Sequence, residues 1–412
     1  MAFKAISGLP ERSHPLARAP IVDKANGWLQ QAWEKGWLPS PSLDPAALWA
    51  AAAKGLGDHA EGAEMAGRSP ADVADFRLRL ERLTAAVSTE ADLNPIGRAM
   101  AWGQLVRVIR NRLRFGALWI DRPELLAINI APPIIVIGHM RSGTTRIHKL
   151  LAADPAHSAT RYCDASHPVP SFPDMRRLKG AIDLMMMRRI NPWIDVIHPM
   201  ASGEVEEELG WIAAALNHSI YESQWRIPSY SAFSETRDPA SVYLEFARML
   251  KTDAAHRGLA DKPRVLKVPA FSEDLAAILT VFPDARLVIA QRNHDCVLRS
   301  AVSLVANQMA IQCDSCDLAW IEAEWRRKLA LREARMAAAL ADWSGPTVRL
   351  HFDALNADWE GEIARTYAEL GIDLTPAALA AMHREMAGSE GGHHEAHSAQ
   401  LAHFAKSATQ AG

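Results

Sequence analysis

Gly138, His139, Met140, Arg141, Ser142, Gly143, Thr144 and Thr145 form the segment of this chain with the plainest chemical meaning. Its two glycines let successive backbone amides turn toward one point, and its threonines add hydroxyl donors. A helix beginning there would aim its positive end at the same point. A phosphate group suits such a cradle. The Gly-x4-Gly spacing is that of a P-loop, yet Thr144 stands where a nucleotide-hydrolysing loop carries the lysine that meets the β- and γ-phosphates. Here the positive charge lies inside the loop, as Arg141. Taken alone, the segment is also compatible with a tight turn that binds nothing.

A second constellation lies far downstream. Residues 282–292 read Phe-Pro-Asp-Ala-Arg-Leu-Val-Ile-Ala-Gln-Arg, and Ser300 follows. Arg292 offers a planar fork to a phosphate dianion and Ser300 a hydroxyl donor, although an isolated arginine closing a strand is as often a surface residue. Proton transfer needs a further group, a carboxylate or an imidazole within reach of the reacting hydroxyl. Asp164, His198, Glu206 and Glu207 are the candidates, the last two inside an acidic run that also suits a solvated helix start.

These residues need elements to hold them. Residues 128–137 are rich in β-branched side chains without polar alternation, which predicts a parallel strand buried on both faces and feeding the glycine loop. Residues 146–152 follow as a helix with Ile147, Leu150 and Leu151 inward. Further strands are expected at 264–267, 285–290 and 347–352, with helices at 272–281, 317–343 and 359–370. Alternation of strand and helix predicts an α/β fold: a central, mostly parallel sheet of P-loop type flanked by helices. Residues 1–127 are expected to form an N-terminal helical layer, with helices opening at Ser69-Pro70 and Pro95. Residues 128–387 make the α/β domain, with a helical insertion between about 172 and 263. The tail at 388–412 reads as a loop or lid.

With both motifs in view, a family resemblance emerges. Pro-Pro-Ile-Ile-Val-Ile-Gly-His-Met-Arg-Ser-Gly-Thr-Thr at 132–145 resembles the 5′-phosphosulfate loop of sulfotransferases that use 3′-phosphoadenosine-5′-phosphosulfate (PAPS). Residues 282–300 resemble that family's 3′-phosphate site, and the likeness extends over roughly 132–370. The resemblance implies PAPS as co-substrate and no metal requirement. It gives Arg141 the oxygen between phosphate and sulfate, and gives Ser142, Gly143, Thr144 and Thr145 the 5′-phosphate. Arg292 and Ser300 would clasp the 3′-phosphate. Many relatives read Arg-Asp-Pro where this chain has Arg292-Asn293-His294, so the following helix should start slightly differently with the clamp intact. Phe271 stands where relatives often carry histidine.

In the tyrosylprotein branch an acid about twenty residues past the loop acts as base. Asp164 resembles it in position and ranks first here. Glu206 and Glu207, in a segment resembling a bacterial subgroup that pairs a histidine with two acids, rank next, and His198 last. The implied reaction moves a sulfuryl group to a hydroxyl or amine of a small-molecule, carbohydrate, lipid or peptide acceptor, releasing adenosine 3′,5′-bisphosphate. A P-loop nucleotide kinase or NTPase, and a catalytically silent nucleotide-binding protein of the same fold, are the rival readings.

Composition sets the outer bounds. The chain has 412 residues, 49% hydrophobic and 23% charged, with a net charge of −3, so no global field favours nucleic acid. Four irregularly placed cysteines suggest a reducing compartment, and Cys313 and Cys316 lack the second pair that a zinc site needs. The first residues lack a signal-peptide core and no apolar run is long enough to cross a bilayer. A cytoplasmic protein, not an integral membrane one, is therefore expected, with homo-oligomerisation left open. His393, His394 and His397 read as an incidental cluster in a Gly-rich tail. Met185, Met186 and Met187 are expected to pack the core or line an apolar acceptor pocket, which Trp193, Trp211, Tyr221 and Trp225 would help to shape.

Overall fold

A computed structural model describes residues 12–56 and 59–389, together with 400, 401 and 404. His393, His394 and His397, and most of the 388–412 tail, lie outside the described residues. The sheet has five parallel strands, β1 (Ile134–Ile137), β2 (Ser158–Ala159), β3 (Arg264–Lys267), β4 (Arg286–Gln291) and β5 (Thr347–His351), in the order β2-β3-β1-β4-β5. The strand expected at 128–137 is shorter than its apolar run. Pro132 and Pro133 have no N–H to give a ladder, so pairing starts at Ile134. The two-residue edge strand β2 gave no sequence signal of its own.

Both sheet faces are covered, which is why these strands read as continuous apolar runs. Ile135, Ile137, Leu266, Leu287 and Ile289 pack in one cluster with Tyr243, Phe246 and Leu250 of the helix Ala240–Arg257. Ile134, Val136, Val265, Val288 and Leu350 join the opposite cluster, with Ile147, Leu150 and Leu151 of the helix Thr144–Ala153 and with Ile363 and Tyr367. Period-two alternation along each strand thus builds two cores at once.

The N-terminal layer begins its long helices with local caps. Ser69 Oγ accepts the Asp72 N–H at 3.1 Å while Asp72 Oδ2 accepts the Ser69 N–H at 3.2 Å, closing a capping box with Pro70 in the first turn. Asn94 caps Pro95–Asp121 through the Gly97 N–H at 2.8 Å, and that helix opens at Pro95 as expected. Leu83, Leu105 and Ile109 of this layer share a core with Tyr221, Trp225 and Tyr230 of the insertion. Trp193, Trp211, Tyr221 and Trp225 are all buried in such clusters, as packing residues. Met185 and Met186 are instead exposed on the helix Arg176–Ile190.

Topology fixes where a ligand can sit. The chain leaves β1 toward the β2 edge and leaves β4 toward the β5 edge, and β1 and β4 are neighbours, with Ile137 opposite Ile289. Open α/β sheets bind ligands in the crevice at such a reversal, beyond the carboxyl ends of the strands. The glycine loop leaves β1 at that end, and Arg292 follows β4 there. Among the described residues no helix is long and apolar enough to cross a membrane.

Candidate phosphate and catalytic site

The loop after β1 is held in a shape that side chains would oppose. Gly138 has φ +144°, and a Cβ there would stand 2.7 Å from the Ala290 carbonyl oxygen. Its N–H donates to Ser272 Oγ at 3.1 Å. Gly143 has φ +95°, with Phe352 Cδ2 2.6 Å from where its Cβ would be. Only glycine meets both demands without strain. Arg141 takes φ +69°, a left-handed conformation uncommon for its type, and so turns its side chain across the crevice. Ser142 Oγ donates to the His139 carbonyl at 2.7 Å, tying the loop to itself. Thr144 and Thr145 open the helix Thr144–Ala153, whose first amides remain available to an anion.

The two sequence motifs meet here. Arg141 Nε donates to Ser300 Oγ at 2.8 Å, and Arg292 Nη1 donates to the Arg141 carbonyl at 2.9 Å. The Arg292 guanidinium lies 3.9 Å from the centroid of the Phe352 ring. Phe352, the first residue past β5, therefore backs Gly143 and seats Arg292 together. Sequence reading missed it, though its place at a strand's carboxyl end was the signal available. Burial first, and then the charge of Arg292, lowers the Arg141 pKa, with Glu207 opposing. Two close guanidinium groups, that of Arg141 desolvated, gain most from an anion placed between them and the helix amides. The altered linker keeps the geometry: Asn293 Oδ1 accepts the N–H groups of Asp295 and Cys296 at 3.0 and 3.3 Å and starts the helix His294–Gln312, which carries Ser300.

A second set of groups flanks the loop. Lys267, at the end of β3, donates through Nζ to Thr145 Oγ1 at 3.1 Å and pairs with Glu207. Its N–H donates to Glu208 Oε2 at 2.9 Å; burial pushes that carboxyl up to about 7. His198 Nε2 lies 3.1 Å from both oxygens of Glu206, whose Oε1 also accepts the Glu207 N–H at 2.9 Å. The Glu206 charge raises the His198 pKa against the effect of burial. Burial would raise Glu206 in turn, but the His198 charge, its hydrogen bond and Lys267 prevail and hold it at about 2. His198, Glu206 and Glu207 present ligand atoms within 4.8 Å of one another, the spacing of a cation site, with Lys267 already compensating Glu207. Arg141 also reaches this side, donating through Nη1 to the Ile197 carbonyl at 3.0 Å.

Asp164 stands apart from this assembly. Its side chain is wholly buried in the short helix Tyr162–Ser166, with Arg161 Nε at 2.7 Å, Arg161 Nη2 at 2.8 Å, and Arg176 and Arg257 each at 3.3 Å. Arg176, Arg257 and Arg264 also surround the nearby Asp253. A carboxylate so enclosed has no open lone pair to offer an incoming hydroxyl. Phe271 is likewise committed to packing, its ring 5.8 Å from that of Phe246. The four cysteines are free thiols.

A parallel sheet with a glycine loop after its central strand, and with Arg292 and Ser300 gathered on that loop's Arg141 beyond the neighbouring strand, defines an α/β protein of P-loop type. Comparison narrows this class. Residues 132–376 match a family model described as the sulfotransferase family, a stretch of more than half the chain, and the chain belongs to that family. Among solved structures, sulfotransferase STF1 from Mycobacterium tuberculosis H37Rv is similar with a TM-score of 0.73 at 26% identity, covering 88% of this chain and 98% of that one. Sulfotransferase STF9 from Mycobacterium avium shares the fold, with a TM-score of 0.72 at 21% identity over 84% of this chain and 88% of its own. No curated protein sequence matches the chain.

Proposed function

We infer that this sulfotransferase takes its sulfuryl group from PAPS and passes it to a hydroxyl or amine, releasing adenosine 3′,5′-bisphosphate. The observation that carries the reading is the junction of Arg141 with Ser300 and Arg292, which joins two motifs distant in sequence at the mouth of one crevice. The amides of Gly143, Thr144 and Thr145 receive the 5′-phosphate at the helix start. Arg141 meets the oxygen that becomes the leaving phosphate's charge as the sulfur–oxygen bond breaks, and Lys267 adds a second cation on that side. Arg292 and Ser300 receive the 3′-phosphate, which no ordinary nucleoside triphosphate carries.

Glu207 takes the acceptor's proton. It is the carboxylate shared with Lys267 beside the loop, and its charge is felt at Arg141. When the donor's sulfate draws the Lys267 ammonium away, Glu207 is left free to accept. Glu206 is occupied by His198 and serves to hold that pair, and Asp164 anchors the edge of the sheet. Arg141 and Lys267 supply the positive charge for this transfer, and no metal is required. The acceptor enters from solvent, in keeping with a protein of the cytoplasm.

Thermal stability in the presence of ligands tests the donor. Adenosine 3′,5′-bisphosphate at a hundred times its Kd should stabilise the folded chain by about 2.7 kcal/mol, a clear rise in Tm. ATP with magnesium should give a much smaller shift at the same concentration. Stabilisation by ATP with magnesium alone would overturn the proposal in favour of a kinase or NTPase.

A further inference from the structure

The helix Arg176–Ile190 leaves an apolar stripe uncovered. Leu178, Ile182, Met185 and Met186 recur at helical spacing on one face, and each is about half exposed. Phe172 and Met175, just before the helix, are exposed as well. The opposite face is firmly fixed. Arg176 is buried against Asp253 at 2.9 Å, Leu184 is buried, and Arg188 Nε holds Asp195 at 2.7 Å while its Nη2 donates to the Met200 carbonyl at 2.7 Å. The outward stripe is therefore a feature of the folded helix.

The exposed charges of the helix itself have one sign, and Asp174 just before it is held by Arg176 at 2.9 Å and lies 3.3 Å from His256. Arg177, Lys179 and Arg189 are the helix's exposed ionic side chains. The helix's one acid, Asp183, turns aside to His167 at 3.0 Å and Arg107 at 3.3 Å. An aliphatic stripe rimmed by cations matches an interfacial helix, which sinks its apolar side chains at the headgroup boundary while lysine and arginine meet anionic headgroups. A second copy of the chain fits less well, because a two-fold contact would set each cationic rim against itself. The geometry points to this helix as a docking face for an anionic lipid surface, with the chain bound peripherally. Docking is separate from donor binding, so either reading can fail alone.

Co-sedimentation of the full chain with vesicles tests it, using phosphatidylcholine alone and phosphatidylcholine mixed with phosphatidylglycerol. The wild-type chain should partition onto the anionic vesicles and lose most of that binding at high salt. The double variants Leu178→Asp/Ile182→Asp and Lys179→Glu/Arg189→Glu should each bind at least about tenfold more weakly. Their melting transitions without ligand should match the wild type in cooperativity and lie close to it in Tm, showing that they fold. The second pair alters only exposed charges and keeps the test available should the first misfold. Failure of the wild-type chain to bind anionic vesicles overturns the proposal, as does undiminished binding by the charge-reversed pair. A wild-type dimer that Leu178→Asp/Ile182→Asp dissociates in sedimentation velocity overturns it in favour of a second copy.

Discussion

Replacing Glu207 with Gln should slow PAPS turnover by about 10²–10⁴-fold, the usual contribution of a positioned general base. The glutamine keeps the size of the side chain and a hydrogen-bond acceptor for Lys267, but it cannot take a proton. Turnover can be read as adenosine 3′,5′-bisphosphate released under single-turnover conditions, with water standing in for the acceptor. Affinity for adenosine 3′,5′-bisphosphate should change far less, because the carboxylate meets Lys267 and Thr145's neighbourhood rather than the 3′-phosphate clamp. Glu206→Gln should be milder and should act through His198, whose raised pKa depends on that carboxylate. If Glu207→Gln turns over PAPS at the wild-type rate, the proton goes elsewhere and Glu207 is only a counter-ion.

Asp164→Asn should act on stability instead. Removing one partner of a buried ion pair leaves the other charge uncompensated, at a cost of about 3–5 kcal/mol. Three arginines lose a carboxylate in this variant, but Asp253 still engages Arg176 and Arg257, so the lower end is expected. The Tm should fall by several degrees, while turnover per folded molecule stays within about threefold of wild type. An unchanged Tm together with a large loss of turnover would return Asp164 to the role of base.

The contrast between these two acids shows where sequence reading reaches its limit. The glycine loop, the strand runs at β1, β3 and β4, and the Arg292–Ser300 spacing are local patterns, and local patterns survive in a sequence. The role of an acid depends on what approaches it. Arg176 and Arg257 come to Asp164 from other helices, and Lys267 comes to Glu207 from the end of β3. Nothing in the spacing of Asp164 announces that two further arginines join Arg161 around it. Phe271 illustrates the same point: its position resembles one that often holds histidine, but its ring completes an aromatic core with Tyr243 and Phe246. The exposed methionines misled in the other direction, since composition alone favours burial for Met185 and Met186.

The central claim is that one crevice grips both phosphates of a single donor, with Arg292 on the 3′-phosphate. A calorimetric cycle measures this directly, comparing adenosine 3′,5′-bisphosphate with adenosine 5′-phosphate on the wild-type chain and on Arg292→Ala. The 3′-phosphate should tighten wild-type binding by about 30-fold or more, the worth of a hydrogen-bonded charge pair, and should tighten the variant far less. An equal preference for the bisphosphate in both proteins would contradict the account and place the 3′-phosphate away from Arg292.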